Sequence, residues 1–239
     1  MTFELSDQQQ AVRDRARAFA EDKLVKHADE IDRTASIPEP LVRQAAEIVS
    51  SAGDGVALVA VVEELAVGSG AVAAAASAER SVQGEKGQLP GLRGAGPFDE
   101  SPRSHLTLAA IALGLGRAAL EVALRELRPV AATPAATVEK PHWAVADAAT
   151  ELEAARLATR AAAQAVDRGT APSEVGMARL LTASAARAAV DAAVRIAGRA
   201  GYRDGTLLER LVRDVRTLSV MLGTEEQHRA MAAEGLLPE

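Results

Sequence analysis

Two Glu-x-x-His motifs are the pattern in this sequence that comes closest to a metal site. Glu139 and His142 form the first motif, and Glu225 and His228 form the second. Bundle helices that carry such pairs can hold two iron ions between them. Pro141 stands inside the first motif and interrupts the helical register that would put its ligands on one face. The second motif falls in the first turn of a helix, where a solvated Glu is favoured in any case, so we predict no metal site.

Composition and charge exclude several other kinds of chemistry. The chain has 239 residues and no cysteine, which excludes disulfides, thiol nucleophiles and thiolate metal sites. The net charge of −6 argues against nucleic acid as a partner, because phosphate binding needs a concentrated basic face. The N-terminus lacks a basic-then-apolar signal pattern, and the apolar runs are shorter than the ~20 residues of a membrane span. We therefore expect a cytoplasmic protein that binds neither nucleic acid nor membrane.

Helix signals recur along the chain. Capping boxes begin at Ser6, Thr206 and Thr224, where a hydroxyl side chain stands three residues before a Glu or Gln. Leucine recurs every seven residues from Leu106 to Leu127, which predicts one face of a long helix. Aromatic residues make up only 2% of the sequence, and the abundant alanine lets helices approach one another closely. These features predict an all-helical protein.

Two stretches without a helical period divide the chain. Residues 81–102 are rich in Gly and Pro and are predicted to form a long loop. Residues 128–140 form a Pro/Ala/Thr-rich linker of low complexity. We predict an N-terminal helical subdomain over residues 1–80, a linker over residues 81–102, and a C-terminal four-helix bundle over residues 103–239.

One helix of the predicted bundle carries an arginine stripe. Arg210, Arg213 and Arg216 recur every three residues beside Glu209. Such spacing is typical of a salt-bridged, solvated helix face. A contact between subunits is the alternative.

The order of several motifs resembles the acyl-CoA dehydrogenase family. The opening stretch LSDQQQAVRDRARAFAEDKLVKHADEIDRTASIPEPLVRQAAE looks like the first helices of that family, and ALVAVVEELA looks like a later one. LAAIALGLGRAALEVAL and HWAVADAATELEAARLATRAAAQAVDRG are similar to the first two helices of its C-terminal domain. RIAGRAGYRDGTLLERLVRDVRTLSVMLGTEEQHR follows the family order Gly-Gly-x-Gly-Phe/Tyr, Arg-Asp, Gly-Thr-Ser-Glu. The resemblance implies the helical N-terminal and C-terminal parts of that fold.

Two departures from the family concern its catalytic base. The resemblance implies a carboxylate that removes the α-proton of an acyl thioester while a flavin accepts the hydride. Most members place this base directly before the Gly-Thr step, where this sequence has Leu222. Others place it on the first C-terminal helix, where the matching residue is Ser104. Leu222 takes no proton and Ser104 is an unactivated hydroxyl, so we expect no catalytic residue at either position.

The flavin-binding residues of the family are kept only in part. The resemblance implies that Gly198, Gly201 and Thr224 are remnants of the FAD site. Arg199 replaces the second glycine of its turn, and Glu139 stands near the position of a flavin-binding Gln. We therefore expect no bound cofactor, FAD being the cofactor that the family implies.

A missing domain bears on the function that we expect. The family carries a central β-barrel domain that supplies much of the flavin and acyl-CoA cleft, and residues 81–102 are too short for it. We expect a degenerate homologue, nominally an oxidoreductase acting on CH–CH groups, without independent dehydrogenase activity. It would serve as an oligomeric binding or partner protein, assembled through its C-terminal bundle. The alternatives are a non-catalytic subunit of a hetero-oligomer with a full-length homologue, or a repurposed non-redox enzyme acting through Glu225, His228 or His105.

Overall fold

The computed structural model describes residues 4–78, 98–128, 139–169 and 172–237. Every regular element within these ranges is a helix, which confirms the all-helical prediction. The α-helices in chain order are α1 (Asp7–Phe19), α2 (Val25–Thr34), α3 (Glu39–Ser50), α4 (Gly55–Gly68), α5 (Gly70–Ala78), α6 (Pro102–Leu127), α7 (Glu139–Asp167), α8 (Pro172–Ala197), α9 (Leu207–Leu218) and α10 (Glu225–Glu234). A π-helical turn, Ala20–Leu24, joins α1 to α2, and a 3₁₀ turn, Gly198–Tyr202, follows α8. Residues 81–97 of the predicted loop and 129–138 of the predicted linker lie outside the described residues.

The predicted capping boxes mark the starts of three helices. At α1 the Ser6 hydroxyl accepts a hydrogen bond from the Gln9 amide (3.3 Å), and the Gln9 side chain accepts one from the Ser6 amide (2.9 Å). Thr224 and Gln227 form the same reciprocal pair at α10. Thr206 caps α9 by accepting from the amide three residues on. These bonds satisfy amides that the first helical turn leaves without a partner.

The start of α7 differs from the prediction. The helical backbone begins at Glu139 and runs through Pro141, so the proline does not interrupt the register as expected. Proline is tolerated there because a first-turn residue needs no amide donor. The Glu139 side chain lies outside the described residues. In the described part of the chain no three His, Asp or Glu side chains are grouped as metal ligands, and the metal-free expectation stays a prediction.

Helices α4 and α6 form the centre of the fold. Helix α4 is buried on nearly every side, as its uniformly apolar sequence predicts. It crosses α6 so closely that a Cβ atom on Gly114 would lie 2.4 Å from the Glu63 carbonyl oxygen and 2.6 Å from the Ala66 Cβ. By length and composition α6 could span a membrane, but 78% of its most apolar 18-residue window is buried inside the fold. It therefore occupies the place of a core helix.

Two buried carboxylates on α4 tie the N-terminal helices to the C-terminal bundle. Glu63 and Glu64 are each 3% exposed. Arg156 of α7 contacts Glu63 through both Nε and Nη2, at 3.1 and 3.0 Å. Arg117 of α6 bonds both carboxylates, and Arg17 of α1 reaches Glu64 at 2.9 Å. The only two charges within the apolar α4 sequence are thus paired by three other helices.

Helix α9 is fastened to α2 by the predicted arginine stripe. Arg213 forms ion pairs with Asp32 of α2 at 2.6 Å and with Glu209 of its own helix at 2.7 Å. Arg210 pairs with Asp29 at 2.6 Å. The stripe is salt-bridged as predicted, but two of its arginines face another helix and their side chains are only 22% and 14% exposed. The arginine stripe therefore mainly forms a contact between two helices of the chain.

Candidate functional site

The start of α6 and the turn between α9 and α10 meet in the folded chain. The rings of His105 on α6 and His228 on α10 pack edge to face, with their centroids 5.6 Å apart. Ser104 precedes His105 directly, and His228 Nε2 donates a hydrogen bond to the Leu222 carbonyl oxygen at 3.1 Å. The structure therefore brings together the two positions at which the resemblance places a general base.

Leu222 holds the first of these positions in an unusual backbone conformation. Its φ of 54° is in the left-handed region, and Gly223 follows with a φ of 109°. A left-handed non-glycine residue costs about 1–2 kcal/mol. The side chain packs partly buried against the hydrophobic core. The position thus offers an apolar, fixed group where an acyl-thioester enzyme would need a proton acceptor.

Ser104 holds the second position and is part of a helix cap. Ser104 is only 5% exposed; its hydroxyl donates to Asp99 Oδ1 at 2.5 Å, and the Ser101 hydroxyl donates to the same oxygen at 2.6 Å. The bond from Ser101, followed by that from Ser104, holds the pKa of Asp99 below its usual range. Ser104 therefore has a carboxylate partner that sequence reasoning missed. The signal for it was the Asp-x-Ser-x-x-Ser spacing that begins at Asp99.

A cavity opens beside this cap. It has a volume of about 410 Å³ and lies between the ends of α3 and α5 and the starts of α4 and α6. Ser77, Asp99, Arg103, Ser104 and Thr107 are among its lining residues. Charged and hydroxyl side chains at the start of α6 thus give this cavity a partly polar lining.

One positive charge is buried behind the histidine pair. Arg179 of α8 is 2% exposed, and its Nη2 donates to the carbonyl oxygens of Leu218 (3.1 Å) and Met221 (2.8 Å). Burial lowers the pKa of Arg179 to about 10. Burial, followed by the charge of Arg179, lowers the pKa of His105 to about 4 and that of His228 below its usual value. Both imidazoles are therefore neutral at pH 7.

The residues predicted as flavin remnants do not come together in one chain. Gly198 takes a φ of 58° in the 3₁₀ turn, with open space where a Cβ would stand, and Gly201 is buried in the same turn. Thr224 caps α10. The glycines precede α9 and Thr224 follows it, so the length of this 12-residue helix, about 18 Å, separates them. Their role in binding a cofactor stays a prediction.

Glu225, the carboxylate nearest in sequence to the lost base position, is already engaged. Its side chain pairs with Arg229 at 2.6 Å and is 44% exposed. His228 shares this helix but is buried, at 4% exposure. The second Glu-x-x-His motif therefore points its two side chains into different surroundings.

Sequence models of one protein family match both helical parts of the chain. The model described as "Acyl-CoA dehydrogenase, N-terminal domain" matches residues 6–86, and that described as "Acyl-CoA dehydrogenase, C-terminal domain" matches residues 103–237. Residues 87–102 alone lie between the two matches.

Curated relatives match about half of the chain. Cyclohex-1-ene-1-carbonyl-CoA dehydrogenase of Geobacter metallireducens is 32% identical over 133 residues, which are 54% of this chain and 35% of the relative. Short-chain specific acyl-CoA dehydrogenase of Sus scrofa is 36% identical over 134 residues, which are 54% of this chain and 32% of the relative. The chain thus spans about a third of the length of the curated relatives it matches.

Solved structures share the fold at low sequence identity. Butyryl-CoA dehydrogenase from Megasphaera elsdenii has a TM-score of 0.86 and 17% identity, with 100% of each chain covered. PigA, solved with FAD and proline, has a TM-score of 0.83 and 14% identity, with 99% of each chain covered. At these identities the likeness concerns the fold.

The expectation that no cofactor is bound is contradicted by these comparisons, since FAD is the family's cofactor and PigA, which has this fold, was solved with FAD. Arg199, in place of the second glycine, lies in the same 3₁₀ turn as Gly198 and Gly201. Gly198 still exposes its backbone to a close approach. The α10 N-terminus, capped by Thr224, still favours a phosphate. These features fit FAD as two separate halves of a site.

Proposed function

The chain belongs to the acyl-CoA dehydrogenase family, and on that premise we propose that it binds an acyl thioester or a partner protein without removing the α-proton itself. Leu222 is the observation that carries this proposal. Abstraction of an α-proton requires a base within hydrogen-bonding reach of it, and Leu222 offers none at the family's usual position.

The surroundings of the second base position support the same proposal. The carboxylate partner of Ser104, Asp99, accepts hydrogen bonds from two hydroxyls, those of Ser101 and Ser104. Because these bonds lower the pKa of Asp99, its carboxylate is a weaker proton acceptor than an ordinary one. The cap therefore favours binding over proton transfer.

The proposed function includes FAD as a bound cofactor. Gly198 and Gly201 would hold it at one end of α9 and Thr224 at the other. Bound FAD supplies a hydride acceptor. Because one chain places these residues at opposite ends of α9, we propose an oligomer in which two protomers each contribute one half.

Deuterium exchange tests the loss of the base. Purified protein, with and without added FAD, is incubated in D₂O with butyryl-CoA as the probe, and α-proton exchange is followed by mass spectrometry. We expect no exchange above the protein-free control. Leu222→Glu is expected to start exchange, whereas Leu222→Gln, of nearly the same shape but without an ionisable group, should not. Exchange by the wild-type chain would refute the proposal.

A second candidate is a non-catalytic subunit beside a full-length homologue. The short match to the relatives, about a third of their length, favours it, because the homologue would then supply the missing parts and the base. It predicts one complex by native mass spectrometry and activity only in the mixture. A homo-oligomer that excludes the homologue would rule it out.

A further inference from the structure

The outward side of α8 carries a row of residues at alternating intervals of three and four positions. This spacing places side chains in one line along a helix. Every residue of the row is exposed or half-buried, although α6, α7 and α10 pack against other sides of α8. We call this row the outer α8 face. Between Glu174 and Arg195 it comprises Met177, Leu181, Ser184, Ala188 and Asp191.

Opposite charges mark the two ends of the outer α8 face. Glu174 lies in the first turn of α8 and Arg195 in its last turn. Neither side chain forms an ion pair with another residue that the structure describes. The two residues lie almost equally far before and after Ser184 in the sequence. A half turn about Ser184 therefore brings the acidic end of one copy of the face onto the basic end of another.

The middle of the outer α8 face is apolar or small. Leu181 is 45% exposed, and the same half turn places it opposite Ala188 of a second copy. A large side chain would thus face a small one on each side of Ser184, which suits two helices packed about 8–10 Å apart. The helix dipole alone favours a first-turn Glu and a last-turn Arg, but it does not account for the exposed leucine between them.

We propose that the outer α8 face binds the same face of a second copy of this chain, antiparallel and around a two-fold axis at Ser184. Glu174 of each copy then pairs with Arg195 of the other. A second copy is the occupant that the pattern favours, because a contact across a two-fold axis requires a surface that complements itself. The inference rests on the oligomer of the proposed function and names the surface through which that oligomer forms.

Light scattering over a range of protein concentrations measures the assembly of the whole chain. We expect the wild-type protein to form dimers or an even multiple of them. Leu181→Glu should raise the dissociation constant about tenfold or more, because it removes apolar contact and brings like charges together. Val220→Glu adds the same charge at a residue that is 68% exposed outside the outer α8 face, and it should leave assembly unchanged.

These measurements separate the inference from the proposal on which it rests. A wild-type chain that stays monomeric would overturn both the outer α8 face and the proposed oligomer. Assembly that Leu181→Glu leaves unchanged, or that both variants weaken equally, would overturn the outer α8 face alone.

Charge reversal tests the antiparallel orientation. Glu174→Arg would place two arginines opposite each other at both ends of the contact, and it should raise the dissociation constant about tenfold, because symmetry changes two pairs at once. Arg195→Glu should have a similar effect. The double variant restores opposite charges at each end and should return the dissociation constant to the wild-type value. Single reversals without effect, or a double variant without recovery, would refute this pairing.

Single introduced cysteines locate the two-fold axis, since the chain has no cysteine of its own. A disulfide joins only residues whose Cα atoms lie within about 7 Å of each other. Ser184→Cys, at the axis, should give disulfide-linked dimers under mild oxidation. Glu174→Cys should not, because the antiparallel arrangement separates its two copies by about 30 Å along the helices. Linking of Glu174→Cys as readily as Ser184→Cys would contradict the arrangement.

Discussion

His105 is held uncharged by its burial and by the charge of Arg179. Its folded pKa of about 4 lies below the ordinary value of 6.5. The unfolded chain therefore takes up a proton at a higher pH than the folded one does. Above pH 6.5 the neutral ring is present in both states and the contact contributes its full stability. As the pH falls from 6.5 towards 4, that contribution is lost.

Replacing His105 should flatten the acid side of the stability curve. We expect the free energy of unfolding of the wild-type protein to fall by about 2 kcal/mol between pH 7 and 4 through this residue, after allowance for solvent screening. His105→Gln should lose this portion of the fall. Urea unfolding at a series of pH values measures it. His27→Gln, a half-exposed histidine of α2, serves as control, and an identical acid limb in both variants would contradict the assignment.

Single residues of the candidate site could be predicted from the sequence only where a motif included them. Leu222 and Ser104 were named from the family pattern, and the structure adds that they lie on either side of one histidine pair. Arg179 was not singled out, because its role depends on carbonyls 39 and 42 residues away. The left-handed φ of Leu222 was equally invisible, since leucine carries no preference for that region.

Among the helices, the crossing of α4 and α6 depends on one residue without a side chain. Gly114→Ala would place a methyl group 2.4 Å from the Glu63 carbonyl oxygen, and buried backbone cannot easily move away. We expect a loss of about 3 kcal/mol or more in the free energy of unfolding, the upper range for overpacking a core. Chemical denaturation measures the loss.

A second glycine provides the control for this substitution. Gly53 has no atom within 4 Å of the position of an added Cβ and a φ that other residues accept. Gly53→Ala should be neutral or stabilise the protein by up to about 1 kcal/mol, because it restricts the unfolded chain. A similar loss at both positions would mean that helix crossing is not the cause at Gly114.

Local sequence signals predicted where the helices begin better than they predicted which helices contact one another. Capping residues and apolar periods act within a few residues, so the starts of α1, α9 and α10 could be placed from the sequence. Helix α7 begins at Glu139, inside the linker predicted over residues 128–140, because a proline is acceptable in a first turn. The π-helical turn Ala20–Leu24 had no sequence signal. The turn packs closely against α4 at Gly68, where an added Cβ would lie 2.9 Å from the Leu24 Cβ.

For the whole molecule, three exposed apolar side chains of the C-terminal part provide positions at which assembly can be tested. Trp143 at the start of α7 is 59% exposed and Tyr202 in the 3₁₀ turn is 65% exposed. Leu124, near the end of α6, is 44% exposed. Singly exposed apolar side chains are normal on a protein surface, so these residues serve as probes of the proposed assembly through the C-terminal bundle.

The single tryptophan of the chain reports on that assembly. If the surface around Trp143 is covered, its fluorescence emission should shift to shorter wavelength as the protein concentration rises, in step with the mass measured by light scattering. Trp143→Ala should weaken assembly, with Val220→Ala, an exposed residue of the turn after α9, as a control. An increase in mass without a change in emission would place the contact elsewhere.

The pairing of Glu63 and Glu64 with Arg117 and Arg156 has a consequence for how the chain comes apart. If the C-terminal bundle opened alone, Glu63 and Glu64 would lose Arg117 and Arg156, and the apolar face of α4 that packs against α6 would be exposed to water. Partial opening would therefore cost free energy both through the lost ion pairs and through the exposed apolar surface. We therefore expect the helices before and after residues 81–97 to unfold in a single cooperative transition.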